Sequence, residues 1–154
     1  MILDASPVGR AGKAPGKEPV DRCLSWIKSL RSGGNLVAVP EIARYEVRRE
    51  LIRLGATASL RRLDALHPDL AYLPITRMVM ERAAELWAHV RRAGLPTAPQ
   101  EALDGDAILA AQALIAVEEG VDGEGFDRVL IATTNAAHLN RFPGVLAQDW
   151  WPIA

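Results

Sequence analysis

The chain is organised around one segment, Asp104-Gly105-Asp106-Ala-Ile-Leu-Ala-Ala-Gln-Ala-Leu114. Two carboxylates one residue apart are followed by a run from Ile108 to Val117 that is apolar at nearly every position. A surface helix would carry charged residues along one face, so this helix is predicted to be buried around most of its circumference.

Asp104 or Asp106 is predicted to begin this helix, where unpaired backbone N–H groups and the positive end of the helix dipole lie. One interpretation is a simple N-cap, because aspartate is common at that position for its own sake. The other interpretation is a metal site, because two carboxylates open a buried helix. The segment alone leaves both interpretations open.

The composition indicates an ordinary globular domain. The chain has 154 residues, of which 49% are hydrophobic and 24% charged, so residues 1–154 are predicted to form a single domain. The formal net charge of −1 gives no overall attraction to nucleic acid, and any basic surface would have to be local. The sequence has no basic leader and no apolar run of about 18 residues that could cross a membrane, so a cytoplasmic location is expected.

Cysteine and histidine supply no recognisable metal or redox motif. The single Cys23 excludes an internal disulfide framework and a cysteine-built zinc site. The three histidines, His67, His89 and His138, lack the spacing of metal ligands.

Short apolar runs alternate with helical patterns along the chain. Five strands are predicted, at residues 1–3, 36–39, 71–75, 129–132 and 145–147. Helices are predicted at residues 20–32, 40–55, 57–67 and 76–94, in addition to the helix that begins at 104–106. Two segments are predicted as loops, the Gly-, Pro- and Lys-rich residues 5–19 and the Pro-containing residues 95–103.

This alternation predicts a parallel sheet with helices on both of its faces. In such sheets, ligands bind outside the carboxyl ends of the strands. Asp4 follows the first strand and Asn135 follows a later one, while Glu46 and Asp106 lie near the starts of helices. All four side chains could therefore meet at one edge of the sheet.

The helix at residues 40–55 carries two acidic residues one turn apart. Ala43, Val47, Leu51 and Leu54 form its predicted buried stripe, with Glu50 inside one edge and Glu46 just beyond it.

Two like charges at i and i+4 repel each other, so the presence of each glutamate needs an explanation. A surface ion pair with Arg49 or Arg53 would explain Glu50. Both a metal-facing role and a surface ion pair remain open for Glu46.

The acidic residues favour a chemistry that uses a hard metal ion. Three carboxylates a few ångström apart repel each other, and their pKa values rise unless a cation compensates. Mg²⁺ or Mn²⁺ takes oxygen ligands and keeps several waters, so a few carboxylates suffice to bind it. Such an ion can activate a water molecule and stabilise charge on a phosphoryl oxygen, which indicates phosphodiester hydrolysis.

Four short motifs in this order resemble those of PIN-domain nucleases, and most closely the VapC-like toxins of toxin–antitoxin modules. The motifs are Leu3-Asp4-Ala5-Ser6, Tyr45-Glu46-Val47, Asp106-Ala-Ile-Leu-Ala-Ala and Thr133-Thr134-Asn135, and the resemblance spans essentially the whole chain. It implies a PIN-like three-layer α/β/α sandwich with a short parallel central sheet. It also implies an endoribonuclease that depends on Mg²⁺ or Mn²⁺.

The resemblance implies roles for individual residues. Asp4, Glu46 and Asp106 would hold the metal directly or through water, and Asp104 is an additional metal candidate. Asn135 would take the place of a fourth acidic catalytic residue, and its missing charge would weaken a second metal site more than the first. A small polar residue often joins the site at the position of Ser6.

A cluster of arginines is the candidate surface for the RNA substrate. The cluster comprises Arg44, Arg48, Arg49, Arg53, Arg61 and Arg62. Arginine forks match phosphate geometry, which favours RNA binding by Arg44, Arg48 and Arg49. Through the resemblance, Ser6 is a further candidate for contact with the substrate. The alternative is a solvated helix face whose arginines form ion pairs within the protein.

Two functional hypotheses follow. The first is a toxin ribonuclease with an RNA substrate, an antitoxin partner and a homodimeric state, the last two being implied by the resemblance alone. The second is a catalytically weak or silent PIN-like module that binds a nucleic acid or a basic partner protein through its acidic cluster.

Overall fold

A computed structural model describes residues 1–66, 68, 70–94 and 100–150 of the chain. His67, most of the predicted loop at 95–103 and Trp151 lie outside these residues. A five-stranded parallel sheet forms the centre of the structure, in the order β3-β2-β1-β4-β5. The strands are β1 (Ile2–Leu3), β2 (Ala38–Pro40), β3 (Ala71–Leu73), β4 (Ile131–Thr133) and β5 (Ala147–Asp149).

Seven helices in the described residues surround this sheet. They are α1 (Ala5–Ala11), α2 (Glu18–Ser32), α3 (Glu41–Arg53), α4 (Thr57–Ala65), α5 (Arg77–Arg92), α6 (Gln100–Glu119) and α7 (Ala136–Leu139). No helix in the part of the chain that the structure describes is long and apolar enough to span a membrane.

The side chains of the strands alternate between two hydrophobic cores. Ile2 and Ile131 enter the core that contains residues of α5 and α6. The next residues along the same strands, Leu3 and Ala132, enter the core that contains residues of α1, α2 and α4. Because successive side chains of a strand point to opposite faces, the sheet separates two helical layers. The predicted three-layer α/β/α architecture is confirmed.

The prediction of a loop at residues 5–19 is only partly correct. Residues 12–17 connect two helices without regular secondary structure, but residues 5–11 form α1 and residues 18–19 begin α2. Asp4 caps α1 by accepting a hydrogen bond from the Ala5 backbone N–H at 2.6 Å. Val8 and Ala11 of α1 are buried in the hydrophobic core that also contains residues of α2 and α4. Gly9 lies inside α1, and Gly12 is the C-cap that ends it. These two glycines of the predicted loop therefore belong to a packed helix.

The prediction that Asp104 or Asp106 begins a helix is wrong, and with it the N-cap interpretation. Helix α6 begins at Gln100, so both aspartates lie inside it, and the predicted loop at 95–103 is helical from residue 100. Leu103 is 3% exposed and belongs to the same core as Ala107, which explains the extra turn.

Several other predicted boundaries are displaced by a few residues. The last two strands begin two residues later than predicted, at Ile131 and Ala147. Leu54, which was assigned to the buried stripe of α3, is 60% exposed at the end of that helix. The long helix α5 agrees with its prediction, and the Thr76 hydroxyl caps it by accepting a hydrogen bond from the Val79 N–H.

A buried glutamine connects α6 to the sheet. Gln112 is 2% exposed; its side-chain amide donates to the Leu73 carbonyl at 2.6 Å, and its oxygen accepts from the Ile42 N–H at 3.4 Å. These bonds join α6 to the end of β3 and to the start of α3. They therefore help to set the position of α6 relative to the carboxyl edge of the sheet.

We expect Gln112→Ala to lower the free energy of unfolding by about 2–4 kcal/mol, because two buried backbone groups lose their partner. Denaturant unfolding followed by circular dichroism measures this change. Gln148→Ala, in the exposed part of β5, is the control and should change the stability by less than about 0.5 kcal/mol. Equal stabilities of the two variants would contradict the connecting role of Gln112.

Candidate active site

The predicted acidic residues gather at the carboxyl edge of the sheet. Asp4 directly follows β1, and Glu46 lies in the helix that follows β2. Asp106 is in α6, and its charge environment includes both Asp4 and Glu46. Three side chains separated by up to 102 positions in the sequence therefore share one site, as predicted.

Asp4 is half-buried, and each of its carboxylate oxygens accepts one hydrogen bond. Its Oδ1 accepts from the Ala5 N–H, and its Oδ2 accepts from the Thr133 hydroxyl at 2.6 Å. Burial raises the pKa of Asp4, while the hydrogen bonds from Thr133 and Ala5 act in the opposite direction. The two bonds also hold the carboxylate in a single orientation.

Glu46 is also half-buried, and it lies against the backbone of α6. A β-carbon at position 105 would lie only 2.6 Å from Oε1 of Glu46, so this carboxylate occupies the space beside Gly105. Burial raises the pKa of Glu46, the Asp4 charge raises it further, and Arg49 partly compensates.

Glu50 differs from Glu46 because it points to solvent. It accepts hydrogen bonds from Arg53 Nε at 2.8 Å and from the terminal guanidinium nitrogen at 2.5 Å. The hydrogen bonds from Arg53 lower the pKa of Glu50. The interpretation of Glu50 as a member of a surface ion pair is confirmed.

Asp106 has the most strongly perturbed carboxyl group of the three. Burial, followed by repulsion from Asp4 and Glu46, raises its pKa from the ordinary value of 3.8 to about 7. A carboxylate in this position strongly favours the arrival of a proton or a cation.

Asp104 does not share this environment. Its side chain is exposed, whereas that of Asp106 is half-buried. Residues two positions apart on an α-helix point in directions roughly 200° apart, which directs Asp104 away from the three other carboxylates. The proposed metal role of Asp104 gains no support from this position.

Thr133 is a positioning residue to which sequence reasoning assigned no role. It is fully buried at the end of β4; its hydroxyl donates to Asp4 and accepts from the Asn135 N–H at 2.9 Å. This chain of bonds connects Asp4, after β1, to the backbone N–H of Asn135 at the start of α7, where Asn135 is half-buried. A polar residue within an otherwise apolar strand was the available signal.

Ser6 lies in the first turn of α1, and its oxygen accepts a hydrogen bond from the indole N–H of Trp150 at 3.3 Å. Trp150 is 1% exposed and packs against Trp26, with ring centroids 5.4 Å apart. Trp150 therefore belongs to the core, and it connects Ser6 to the end of the sheet.

Two of the arginines proposed to bind substrate are paired within the protein. Arg44 and Arg48 both donate to Oδ1 of Asp64 in α4, the bond from Arg48 being 2.7 Å long. Arg49 instead lies over the ring of Tyr45, with 5.3 Å from its guanidinium carbon to the ring centre, and its charge acts on Glu46. Ion pairing within the protein, the alternative interpretation, therefore describes Arg44 and Arg48.

The carboxylate group fits a hard divalent cation by its donor chemistry. It offers only oxygen ligands, it is partly removed from water, and its members raise one another's pKa values. Among the described residues, no three histidine, cysteine or acidic side chains are grouped closely enough to ligate one ion together. The oxygen donors alone are what suits an ion such as Mg²⁺, which is commonly bound through one or two carboxylates and keeps several waters.

Comparisons with known proteins agree with this fold. A sequence model of the PIN domain matches residues 1–122. The chain therefore belongs to the PIN domain family. A search of curated proteins gave no significant match.

Two solved structures have a similar fold. One is VapBC2 from Rickettsia felis bound to a DNA fragment from their promoter, with a TM-score of 0.70, 16% identity and coverage of 97% of both chains. The other is DNA-bound VapBC from Salmonella typhimurium, with a TM-score of 0.66, 18% identity and coverage of 97% of this chain and 96% of that one. At these identities the likeness concerns the fold.

The raised pKa of Asp106 predicts a pH-dependent stability. The folded state binds this proton more tightly than the unfolded chain, so folding is favoured while Asp106 is protonated, and this advantage is lost as the pH rises from 3.8 to about 7. Without metal, the free energy of unfolding should fall across this range, and Asp106→Asn should make the fall smaller; the raised pKa values of Asp4 and Glu46 contribute a fall of the same sign that remains in this variant. Denaturant unfolding at several pH values in chelator measures it.

Asp104→Asn is the matched control, because it neutralises an exposed carboxylate on the same helix. The account of the acidic group would be contradicted if both variants altered the pH dependence equally.

The Thr133 hydrogen bonds lead to a separate prediction. Thr133→Val keeps the shape of the side chain but removes the hydroxyl that donates to Asp4 and accepts from the Asn135 N–H. Because the Thr133 hydrogen bond lowers the pKa of Asp4, this pKa should rise further in the variant. Stability should fall by about 1–3 kcal/mol because the Asn135 N–H loses its partner. Carbon-13 NMR of the Asp4 carboxyl follows the titration, and the exposed Thr134→Val should leave it unchanged.

Proposed function

We propose that this protein is an endoribonuclease that depends on Mg²⁺ or Mn²⁺ and serves as the toxin of a toxin–antitoxin module. The observation that carries the proposal is the desolvated group of Asp4, Glu46 and Asp106, in which repulsion and burial raise the pKa of Asp106 to about 7. Membership of the PIN domain family supports nuclease chemistry at this site.

The three carboxylates would hold the metal, some directly and the others through water. A bound ion would supply charge neutralisation at the phosphate and a water of lowered pKa. Asp4 is suited to direct contact because the Ala5 N–H and the Thr133 hydroxyl fix its orientation. Asn135, at the start of α7, would offer an amide to a phosphate oxygen without adding negative charge.

The RNA backbone would approach along a groove between α1 and α3. The groove has a volume of about 460 Å³, and its lining includes Ser6, Arg10, Lys13 and Glu46. Two cationic side chains beside an acidic site are suited to hold phosphates that flank the one being cleaved. Arg49, next to Glu46, would add a third cation, whereas Arg44 and Arg48 would first have to leave Asp64.

The proposed biological setting is a complex with an antitoxin. Both similar structures are VapBC complexes. Exposed apolar side chains on and beside α3, namely Tyr45, Ile52 and Leu54, could be covered by a partner protein or by a second copy in a homodimer. A toxin of this type would act on RNA in the cytoplasm.

We expect the purified protein to cleave a mixed RNA pool in Mn²⁺ and to lose this activity in chelator. Asp4→Asn should reduce cleavage about 100-fold or more, because a charge that organises the metal is removed. An asparagine still caps α1, so the fold should be retained. Gel analysis of RNA, together with thermal unfolding of each variant, tests both points.

Asp127→Asn is the control, since Asp127 is exposed and precedes β4 at the opposite edge of the sheet. Cleavage that persists in chelator or in Asp4→Asn would contradict the proposal. Metal binding and RNA binding without cleavage would favour the catalytically silent binding module.

A further inference from the structure

Gly105 lies in the middle of the acidic segment without an evident conformational reason. It is a residue of α6, flanked by Asp104 and Asp106, and its backbone has no positive φ angle. Glycine inside a helix is less favourable than alanine by about 0.5–1 kcal/mol, because it has more backbone freedom to lose. The helix would therefore be more stable with a larger residue here.

The surroundings of Gly105 show what a side chain would displace. A β-carbon would lie 2.6 Å from Oε1 of Glu46 and 3.7 Å from its Cδ. These are the atoms of the described residues, outside α6 itself, that come within 4 Å of that position. An added β-carbon would therefore clash with the end of the flexible Glu46 side chain. Among the described residues outside α6, it would meet no backbone atom within 4 Å.

We propose that Gly105 is a positioning residue of the metal site: the missing side chain lets the Glu46 carboxylate lie against α6, next to Asp106. With a methyl group at 105, Glu46 would rotate away, since α3 and α6 are held by their own core contacts. The acidic group would then lose one of its three members although all three carboxylates remain in the sequence. This inference rests on the proposed function of the carboxylates as a metal site.

Stability and metal binding should respond to this change in opposite directions. Gly105→Ala should keep or raise the melting temperature of the metal-free protein, by up to about 1–4 °C, because alanine favours the helix. Its affinity for Mn²⁺ should fall by about 10–100-fold, as is usual when a metal ligand loses its supporting contact. A residue with only a structural role would not weaken metal binding while stabilising the fold.

The experiment is a double-mutant cycle on Mn²⁺ affinity, measured by titration calorimetry of the full chain. The four proteins are wild type, Gly105→Ala, Glu46→Ala and the double variant. If Gly105 acts through Glu46, the alanine at 105 should weaken binding in the wild-type background and have no further effect once Glu46 is absent.

Gly9→Ala is the matched control. Gly9 is also inside a helix, but a β-carbon there would make an ordinary contact of 3.6 Å with Val47. Its Mn²⁺ affinity should equal that of wild type.

Each possible contradiction has a distinct signature. Wild-type affinity in Gly105→Ala would overturn the positioning role alone, and so would an equal loss of affinity with and without Glu46. If the wild-type protein itself bound no Mn²⁺, the proposed metal site would fail and the role of Gly105 with it. In metal-free protein, the carbon-13 resonance of the Glu46 carboxyl should shift in Gly105→Ala and stay in place in Gly9→Ala.

Discussion

Electrostatic repulsion within one acidic group is the constraint on which the rest of the structure depends. Asp4, Glu46 and Asp106 come together at the edge of the sheet, where burial and mutual repulsion raise their pKa values. Such an arrangement opposes folding in the absence of a cation, so the scaffold has to impose it. Parallel pairing of β1 with β2 and β4 fixes the position of Asp4 at this edge, and α6 carries Asp106 to the same place. The acidic group therefore lowers the stability of the metal-free protein, and a bound cation would relieve the repulsion.

Much of the architecture was predictable because it depends on patterns that single segments carry. Short apolar strands alternating with helices predicted the parallel sheet and its two helical layers, and the helical pattern at residues 76–94 predicted α5. The errors arose where tertiary packing overrides local signals. Gly9 and Gly12 indicated a loop, yet burial of Val8 and Ala11 makes that region helical. Burial of Leu103 likewise lengthens α6 beyond the aspartates that were expected to begin it.

The candidate site was predictable in its members but only partly in its supporting contacts. The parallel-sheet pattern indicated that Asp4, Glu46, Asp106 and Asn135 could meet at one edge. The structure groups the three carboxylates there, and Asn135 begins α7 after β4. Distances between distant segments cannot be read from a sequence. The bond from Thr133 to Asp4 spans 129 positions, and the contact between Gly105 and Glu46 depends on how closely α3 approaches α6. The sequence pattern also placed the start of α6 too late, so it did not show that Asp104 lies inside the helix with an exposed side chain.

The most direct test of this account is anomalous diffraction from crystals of the protein soaked in Mn²⁺. The account predicts one principal peak at the carboxyl edge of the sheet, with one or two carboxylate oxygens of Asp4, Glu46 or Asp106 about 2.0–2.3 Å from the ion and water in the remaining positions. An absence of any peak there, with Mn²⁺ bound elsewhere or not at all, would contradict the central claim that these carboxylates form a metal site.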